Sequence, residues 1–421
     1  MTSTHQPPGP MRRWGAELTT FLKWVVFSCI IGVVVGGIGI LFHFSIQWAG
    51  ETRERFPALL WLLPLGGLFI VWLYRISGLQ KDEGTNFVLL SVRGGKPLRL
   101  RTAPLIFVST VITHLFGGSS GREGAALQIG GSVSSKIGSA MHLDDKDARI
   151  LTMCGMSAAF SALFGTPLAA AVFSMEVISV GVMYYSAIVP CVLASVIASG
   201  FSALCGIPAS RYVLSGIPGL SPLPVLQVLV LAALCALVSM LFCLIMHRMP
   251  GWYAALLPNP YLRAVMGGVL VILLTYTVGS GDYNGAGTEG IARAMAGEAR
   301  PEAFLLKMLF TAVTLCAGYK GGEIVPVFFV GATFGNVAGG LLGLDPSLGA
   351  GLGMMAVFCG VTNCPLTSLL LGIELFGTGP LLYVALAVAV SYMLSGYYGL
   401  YTEQKILYSK FRPEFIDKKA E

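Results

Sequence analysis

The sequence predicts an all-α protein that crosses a membrane many times and consists of two related halves. Hydrophobic residues occupy 55% of the 421 positions and charged residues only 11%. A soluble domain carries about 25% charged residues, so this composition excludes the soluble class. A pattern of glycine, proline and glutamate in the first half returns in the second half and predicts an internal repeat.

Apolar segments of two lengths divide the chain. The longer ones approach the ~20 residues that a membrane-spanning helix requires, and they are residues 24–44, 59–73, 178–205, 225–246, 265–278 and 382–394. The others are shorter and are interrupted by Gly or Pro. Such segments are typical of broken or re-entrant helices, whose irregular backbone is tolerated only inside the protein or along a cavity.

These segments predict five parts in chain order. They are a cytoplasmic tail with a surface helix at 1–23, a first membrane repeat at 24–206, a linker at 207–224, a second repeat at 225–395, and a final part at 396–421. The final part is expected to contain a last helix near the pore, at 400–412, and a short cytoplasmic tail without a regulatory domain.

The net charge of +6 comes mainly from cations before the first span, between residues 75 and 101, and after the last span. The positive-inside rule then places both termini in the cytoplasm and the chain in the inner (plasma) membrane. Nucleic acid is not needed to explain this charge. The nine cysteines have no Cys-x-x-Cys spacing and no histidine partners, so we expect neither a metal nor a cofactor.

The internal repeat is visible as seven identities at one spacing. Each of the following residues recurs 198 positions later: Gly155, Met156, Ala158, Phe160, Pro167, Leu168 and Glu176, the last as Glu374. Two glycine turns match as well, with Gly121 and Glu123 placed 200 positions before Gly321 and Glu323. If each half crosses the membrane an odd number of times, the halves are inverted and the transport site lies between them.

The stretch at 118–132 contains a glycine-rich turn and, directly after it, the start of an apolar helix that begins with Glu123. A charged side chain in the middle of a membrane helix costs roughly 2.5 to 3.5 kcal/mol, so Glu123 is a candidate functional residue. The two glycine turns would aim two helix N-termini at one place. Unpaired N–H groups and the helix dipoles then form an anion site.

The motifs together resemble the CLC family of chloride channels and proton-coupled chloride transporters. They are Gly-Arg-Glu-Gly at 121–124, a glycine turn ending at Pro326, Thr-Pro-Leu at 166–168, Cys-Pro-Leu at 364–366, and Tyr401. The resemblance implies a homodimer with one pore per subunit and about eighteen helices in two inverted halves. It also implies that Glu123 is the external gating glutamate and Tyr401 the pore tyrosine.

Several departures from the family pattern resemble its fluoride-exporting branch. The turn at 84–88 reads Gly-Thr-Asn-Phe-Val in place of the family's Gly-Ser-Gly-Ile-Pro, Ala125 stands where proline usually follows Gly-Arg-Glu-Gly, and residues 322–326 read Gly-Glu-Ile-Val-Pro. The internal proton-carrying glutamate of chloride exchangers falls on Val177. These changes predict a fluoride/proton antiporter in which Glu123 competes with the anion when ionised and carries the proton when neutral.

The predicted site has two sets of residues. The anion-binding set is Gly84, Thr85, Asn86, Gly121, Arg122, Gly124, Ile324, Val325 and Tyr401. The coupling or relay set is Glu323, Phe328 and Phe329, with Glu123 as the gate. Structural explanations compete for several of them: a helix cap for Glu323, an interfacial anchor for Tyr401, turn chemistry for Thr85 and Asn86, and packing for the phenylalanines.

Other functions are less well supported by the sequence. A chloride/proton exchanger and a passive anion channel remain alternatives within the same family. Glu176 and Glu374 are interpreted as structural groups at helix ends. The Gly-Ser-Ser-Gly at 118–121 could hold a protease nucleophile, but His142 and His247 are the only later histidines and neither lies inside a span, so an enzyme is not expected.

Overall fold

The computed structural model describes residues 10–79, 84–94 and 98–421. Within these residues the chain forms sixteen α-helices, two 3₁₀ helices and three short strands. The predicted all-α membrane fold is confirmed, and the sixteen α-helices are close to the expected number. Among the described residues, six helices are long and apolar enough to cross a membrane by length and composition.

The first half of the chain contains eight α-helices. They are α1 (Pro10–Arg55), α2 (Leu63–Ile76), α3 (Thr85–Gly94), α4 (Thr102–Leu115), α5 (Glu123–Ala140), α6 (Asp145–Phe164), α7 (Pro167–Glu176) and α8 (Ile188–Leu204). The 3₁₀ helices Pro57–Leu62 and Tyr185–Ala187 precede α2 and α8, and strand β1 (Ser179–Val180) follows α7.

The second half contains the other eight. They are α9 (Pro222–Leu256), α10 (Pro260–Val278), α11 (Thr288–Met295), α12 (Ala303–Cys316), α13 (Ile324–Leu341), α14 (Pro346–Thr362), α15 (Pro365–Phe376) and α16 (Leu381–Leu394). Strands β2 (Lys405–Tyr408) and β3 (Phe415–Lys419) end the chain.

Equivalent helices in the two halves have matching lengths. Helices α4 and α12 have 14 residues each, and α5 and α13 have 18 each. The C-cap residue is Gly165 after α6 and Asn363 after α14, and both are in the left-handed conformation. A proline then opens α7 and α15, where its missing N–H costs no hydrogen bond. The repeat predicted from the sequence is therefore present in the fold.

Two expectations about the ends of the chain are wrong. The surface helix expected at 11–20 is not separate, because α1 runs without a break from Pro10 to Arg55. The last helix expected at 400–412 is absent. Instead β2 pairs in parallel with β1 and antiparallel with β3. These strand partners lie far away in the sequence or in the last residues, so local apolar periodicity does not reveal them.

The centre of the molecule is formed by α5, α6, α13 and α14, whose side chains are almost all buried. By contrast, α2 and α10 expose most of their surface, with 33% and 28% of their apolar windows buried. A half-exposed apolar helix is suited to lipid contact. The two helices that start at the glycine turns therefore lie in the buried centre, whereas α2 and α10 lie at the periphery.

Candidate functional site

The two glycine turns meet in an isolated antiparallel bridge between Gly121 and Gly322. The N–H of Gly121 donates to the carbonyl of Gly322 at 2.6 Å, and the N–H of Gly322 donates back at 2.8 Å. Helices α5 and α13 start at residues 123 and 324, so these two glycines occupy the same position in the two halves. The bridge therefore marks the pseudo-twofold relation between the repeats.

This bridge changes the expected pairing of the two glutamates by one residue. Arg122 is the N-cap of α5 and Glu323 is the N-cap of α13. Glu123 instead corresponds to Ile324, the first residue of α13. Glu323 is half-buried, and its side chain makes no capping hydrogen bond to the helix. The helix-cap explanation for Glu323 is therefore not supported.

The carboxylate of Glu123 lies at the N-terminus of the opposite helix. It is 0% exposed, and its Oε2 accepts a hydrogen bond from the backbone N–H of Val325 at 3.2 Å. Its Oε1 has no hydrogen-bond partner among the described residues. An N–H group in the first turn of a helix is a typical anion ligand. The carboxylate thus occupies the place where α13 would bind a free anion.

Glycines leave the room that this carboxylate needs. A Cβ atom on Gly121 would lie 2.3 Å from Glu123 Oε2, and one on Gly322 would lie 2.8 Å from the same atom. Heavy atoms cannot approach this closely, so any other residue at either position would push the carboxylate away. The glycine turn is therefore required by the position of Glu123.

The guanidinium of Arg122 points away from the anion position. Its Nη1 lies 3.0 Å from His43 Nδ1 and its Nη2 donates to the carbonyl of Leu163 at 3.3 Å. It also lies 5.6 Å from the centre of the Phe164 ring. Because arginine stays protonated, Nη1 is the donor and His43 Nδ1 the acceptor. Arg122 therefore fixes the turn against α1 and α6.

Tyr401 offers a free hydroxyl inside the protein. It is 3% exposed, and its Oη has no hydrogen-bond partner among the described residues. The loop around it is held by Leu400 N–H, which donates to the carbonyl of Val361 at 2.7 Å. A buried unpaired hydroxyl costs free energy unless a ligand binds it. The interfacial-anchor explanation does not fit such a buried tyrosine.

Gln404 is a site-supporting residue that the sequence reasoning missed. It is 0% exposed, and its Nε2 donates to the carbonyls of Val177 and Thr362 at 3.0 and 2.8 Å. Its backbone N–H donates to the carbonyl of Tyr401 at 2.9 Å. The buried amide therefore ties Tyr401 to the ends of α7 and α14. A glutamine three residues after a tyrosine gives no sequence signal of this role.

The N-terminus of α3 approaches the same region. Gly84 has a left-handed φ of 59° before the helix, and Thr85 is buried, with its Oγ1 3.1 Å from where a Cβ on Gly124 would lie. The side-chain oxygen of Asn86 accepts a hydrogen bond from the N–H of Glu403 at 3.2 Å. Asn86 thus connects α3 to the loop that carries Tyr401.

The two candidate phenylalanines lie on different sides of α13. Phe328 packs 5.2 Å from Phe358 and 6.4 Å from Phe164, measured between ring centres, so it joins the rings under Arg122. Phe329 packs 6.0 Å from Tyr283, with the ammonium of Lys307 5.5 Å from its ring centre. Only Phe328 therefore belongs to the ring cluster beside the glycine turns.

A cavity of about 1070 Å³ leads from Arg122 toward the end of α1 that is opposite the N-terminus. Arg53, His43 and His114 line it together with Arg122, and Glu51, Glu54 and Glu289 also border it. The described residues contain no cluster of His, Cys, Asp or Glu that could hold a metal ion. The cavity beside the first glycine turn is thus lined by arginine, histidine and carboxylate side chains.

Comparisons with known proteins show which family this chain is similar to. The family model described as "Voltage gated chloride channel" matches residues 66–396. A "Chloride/fluoride channel protein" of Pseudomonas syringae pv. tomato is 34% identical over 395 residues, which is 92% of this chain and 87% of that protein. An "H(+)/Cl(-) exchange transporter ClcA" of Vibrio parahaemolyticus is 25% identical over 447 residues, with 93% and 91% covered.

Solved structures show the same architecture. The crystal structure of a CLC-type fluoride/proton antiporter superimposes with a TM-score of 0.88 at 32% identity, covering 92% of this chain and 98% of the other. A slow cyanobacterial Cl⁻/H⁺ antiporter gives a TM-score of 0.73 at 18% identity, covering 88% and 94%. With the paired glycine turns, the buried glutamate and these matches, the chain belongs to the CLC family of voltage-gated chloride channels and proton-coupled anion transporters.

Proposed function

We propose that this protein is a fluoride/proton antiporter that exports fluoride, with Glu123 as the gate that also carries the proton. The observation that carries the proposal is the Glu123 carboxylate on the N–H of Val325. Because the carboxylate binds this N–H as a free anion would, a free anion can take its place. Similarity to a chloride/fluoride channel protein and to a fluoride/proton antiporter supports fluoride as the substrate.

Exchange follows from competition for one set of donors. Ionised Glu123 accepts the N–H of Val325 at the start of α13, and an entering anion can bind this donor only when the carboxylate leaves. Protonation removes its charge and weakens its hold, so proton uptake favours anion entry. The carboxylate and the anion take turns at these donors. Coupling is maintained because neither state leaves the pore open to water at both ends.

The donor set suits a small and strongly hydrated anion. The N–H groups of Ile324 and Val325 lie at the start of α13, and the unpaired hydroxyl of Tyr401 lies in the loop after α16. Thr85 adds a buried hydroxyl beside Gly124. Charge-assisted hydrogen bonds are about twice as strong as neutral ones. Dense donors would replace the water shell of fluoride.

Proton transfer uses a single route in this proposal. Val177 stands where chloride exchangers carry an inner glutamate, and its carbonyl is bonded to Gln404, which does not titrate. Glu323 lies at the start of α13 and has no capping bond to the helix, so it can relay a proton to Glu123 or to the anion.

We also propose a homodimer in the plasma membrane with both termini in the cytoplasm, and the two repeats at 24–206 and 225–395.

Selectivity is tested by reconstitution. Proteoliposomes loaded with equal concentrations of fluoride or chloride should release fluoride in a proton-dependent manner and chloride at least about tenfold more slowly. Equal proton-coupled chloride release would instead identify a chloride/proton exchanger. Release of either anion that ignores the proton gradient would identify a passive channel. Empty liposomes provide the leak control.

A further inference from the structure

A second cavity, of about 500 Å³, lies between the C-terminal end of α2 and the N-terminal end of α10. Two arginines line it, Arg75 from the last turn of α2 and Arg263 from the first turns of α10. Tyr74, Tyr261 and Lys320 also border it. The cavity reaches the segment before the second glycine turn, and the fluoride proposal uses none of its residues.

No carboxylate in the described part of the chain forms an ion pair with either arginine. The guanidinium carbon of Arg75 lies 5.8 Å from the centre of the Tyr261 ring. The buried Nε of Arg263 has no hydrogen-bond partner within residues 10–79, 84–94 and 98–421. Arg75 is exposed and Arg263 half-buried, and a buried donor such as this Nε is costly without a partner. A negatively charged ligand would satisfy it.

The backbone adds to this positive potential. Helix α10 has 19 residues and starts in the cavity, with Asn259 as N-cap and Pro260 at its first position. Its N-terminus carries roughly +0.5 charge from the aligned peptide dipoles. Guanidinium forks bind phosphate oxygens in pairs. The cavity therefore favours a phosphate group over a simple halide.

The surroundings indicate where that phosphate comes from. Helices α2 and α10 have the least buried windows of the six candidate spans. Large apolar side chains stand exposed on both, namely Phe69, Trp72, Leu262, Met266, Val269 and Leu273. Tyrosines beside the cavity match the residue type that gathers at membrane interfaces. An acyl chain could therefore follow these helices while its headgroup enters the cavity.

We propose that this cavity binds the phosphate headgroup of an anionic phospholipid in the leaflet that faces the N-terminus. Because α2 returns after α1 and its short 3₁₀ segment, the C-terminal end of α2 faces the side from which α1 starts. The positive-inside rule assigns that side to the cytoplasm. Basic pockets between helices on this side are suited to anionic headgroups.

Bound lipid would contact the segment that leads into the second glycine turn. Gly318 and Lys320 border the cavity and lie in the three residues before Gly321. The N–H of Lys320 donates to Thr113 Oγ1 at 3.3 Å. The lipid thus contacts the segment that leads to the N-terminus of α13. Occupancy is expected to stabilise the folded protein, and its loss is expected to leave the glycine-turn geometry intact.

The test measures lipid binding to the purified full chain in detergent. Phosphatidylglycerol should raise the melting temperature and remain bound in native mass spectrometry, while phosphatidylcholine should do neither. Arg75→Gln and Arg263→Gln should each weaken phosphatidylglycerol binding about fivefold, and the double variant about 25-fold. Arg412→Gln, an exposed arginine near the C-terminus, should bind like wild type.

Three results would overturn the proposal. They are equal stabilisation by phosphatidylcholine, equal stabilisation by inorganic phosphate at the same concentration, and wild-type lipid retention in the double arginine variant. The phosphate result would identify a free-anion site instead. If the double variant does not fold, salt titration of the wild type decides, because added salt must weaken a charge-driven lipid effect.

Discussion

Glu176 and Glu374 each cap the N-terminus of the helix that carries the other. Glu176, the last residue of α7, accepts the N–H groups of Leu366 and Thr367 at 3.0 and 2.8 Å. Glu374, near the end of α15, accepts those of Leu168 and Ala169, both at 2.9 Å. Each glutamate lies 198 residues from its counterpart, as do the helix ends that they cap. The two halves therefore hold each other through a reciprocal pair of carboxylates.

Removing either glutamate should destabilise the fold. Glu176→Ala or Glu374→Ala leaves two N–H groups of the opposite helix without a partner, which costs about 1 to 3 kcal/mol. A clear fall in the melting temperature in detergent is expected. Glu298→Ala, an exposed glutamate in the loop before α12, should change the melting temperature little. Unchanged stability in both cap variants would show that the reciprocal caps do not hold the halves.

A methyl group on the glycine turn should displace the gate. In Gly121→Ala the new Cβ would clash with Glu123 Oε2. Overpacking of this kind costs about 1 to 3 kcal/mol, so the carboxylate should move away from Val325. Anion exchange should fall below about a tenth of the wild-type rate while the protein still folds. Gly219→Ala is the matched control, because nothing lies within 4 Å of its Cβ position. Full activity of Gly121→Ala would exclude the observed carboxylate position from the transport cycle.

The hydroxyl of Tyr401 should contribute to anion affinity. Tyr401→Phe removes a buried donor that has no partner among the described residues and keeps the ring. Losing one hydrogen bond to a charged ligand costs about 1.5 to 3 kcal/mol, or roughly 10- to 100-fold in fluoride affinity. Isothermal titration with fluoride measures this loss. Tyr398→Phe, in the same loop, should leave the affinity unchanged, and equal affinity in Tyr401→Phe would remove the hydroxyl from the site.

Acid should loosen the loop that carries Tyr401. Hydrogen bonds from Lys419 and Arg93 hold the pKa of Glu403 below its usual range, with Lys419 Nζ 2.6 Å and Arg93 Nη2 3.3 Å from its oxygens. A lowered folded-state pKa gives stability at neutral pH that is lost as the pH falls through that pKa. Wild type should melt above Glu403→Gln near neutral pH, and the difference should vanish in strong acid. A difference that persists in acid would assign the effect to another group.

The helices and the repeat could be predicted because their signals are local. Apolar length, the proline after Gly165 and Asn363, and Asp144 before α6 all act within a few residues; Asp144 Oδ1 accepts the N–H of Asp147 as a helix cap. The burial of Glu123 at a helix start could also be predicted, since a carboxylate after a glycine turn in an apolar segment is costly without a partner. Its position on Val325 confirms that it lies at a helix N-terminus.

What the sequence could not provide depends on contacts between distant segments. The terminal strands form because Lys405 pairs with Ser179, more than two hundred positions away. The match of Glu323 to Arg122 rather than to Glu123 follows from a one-residue difference in where the two helices begin. Gln404 becomes part of the site only because α7 and α14 end beside it.

In the proposed transport cycle, Glu123 carries protons and competes with the anion for the donors at the start of α13. The most direct test is proton uptake into fluoride-loaded proteoliposomes, followed with a pH indicator, for wild type and Glu123→Gln. Wild type should take up protons as fluoride leaves, with a fixed ratio at every gradient. Glu123→Gln should show no fluoride-driven proton uptake, whatever its passive fluoride flux. Proton uptake at the wild-type ratio in Glu123→Gln would contradict the claim.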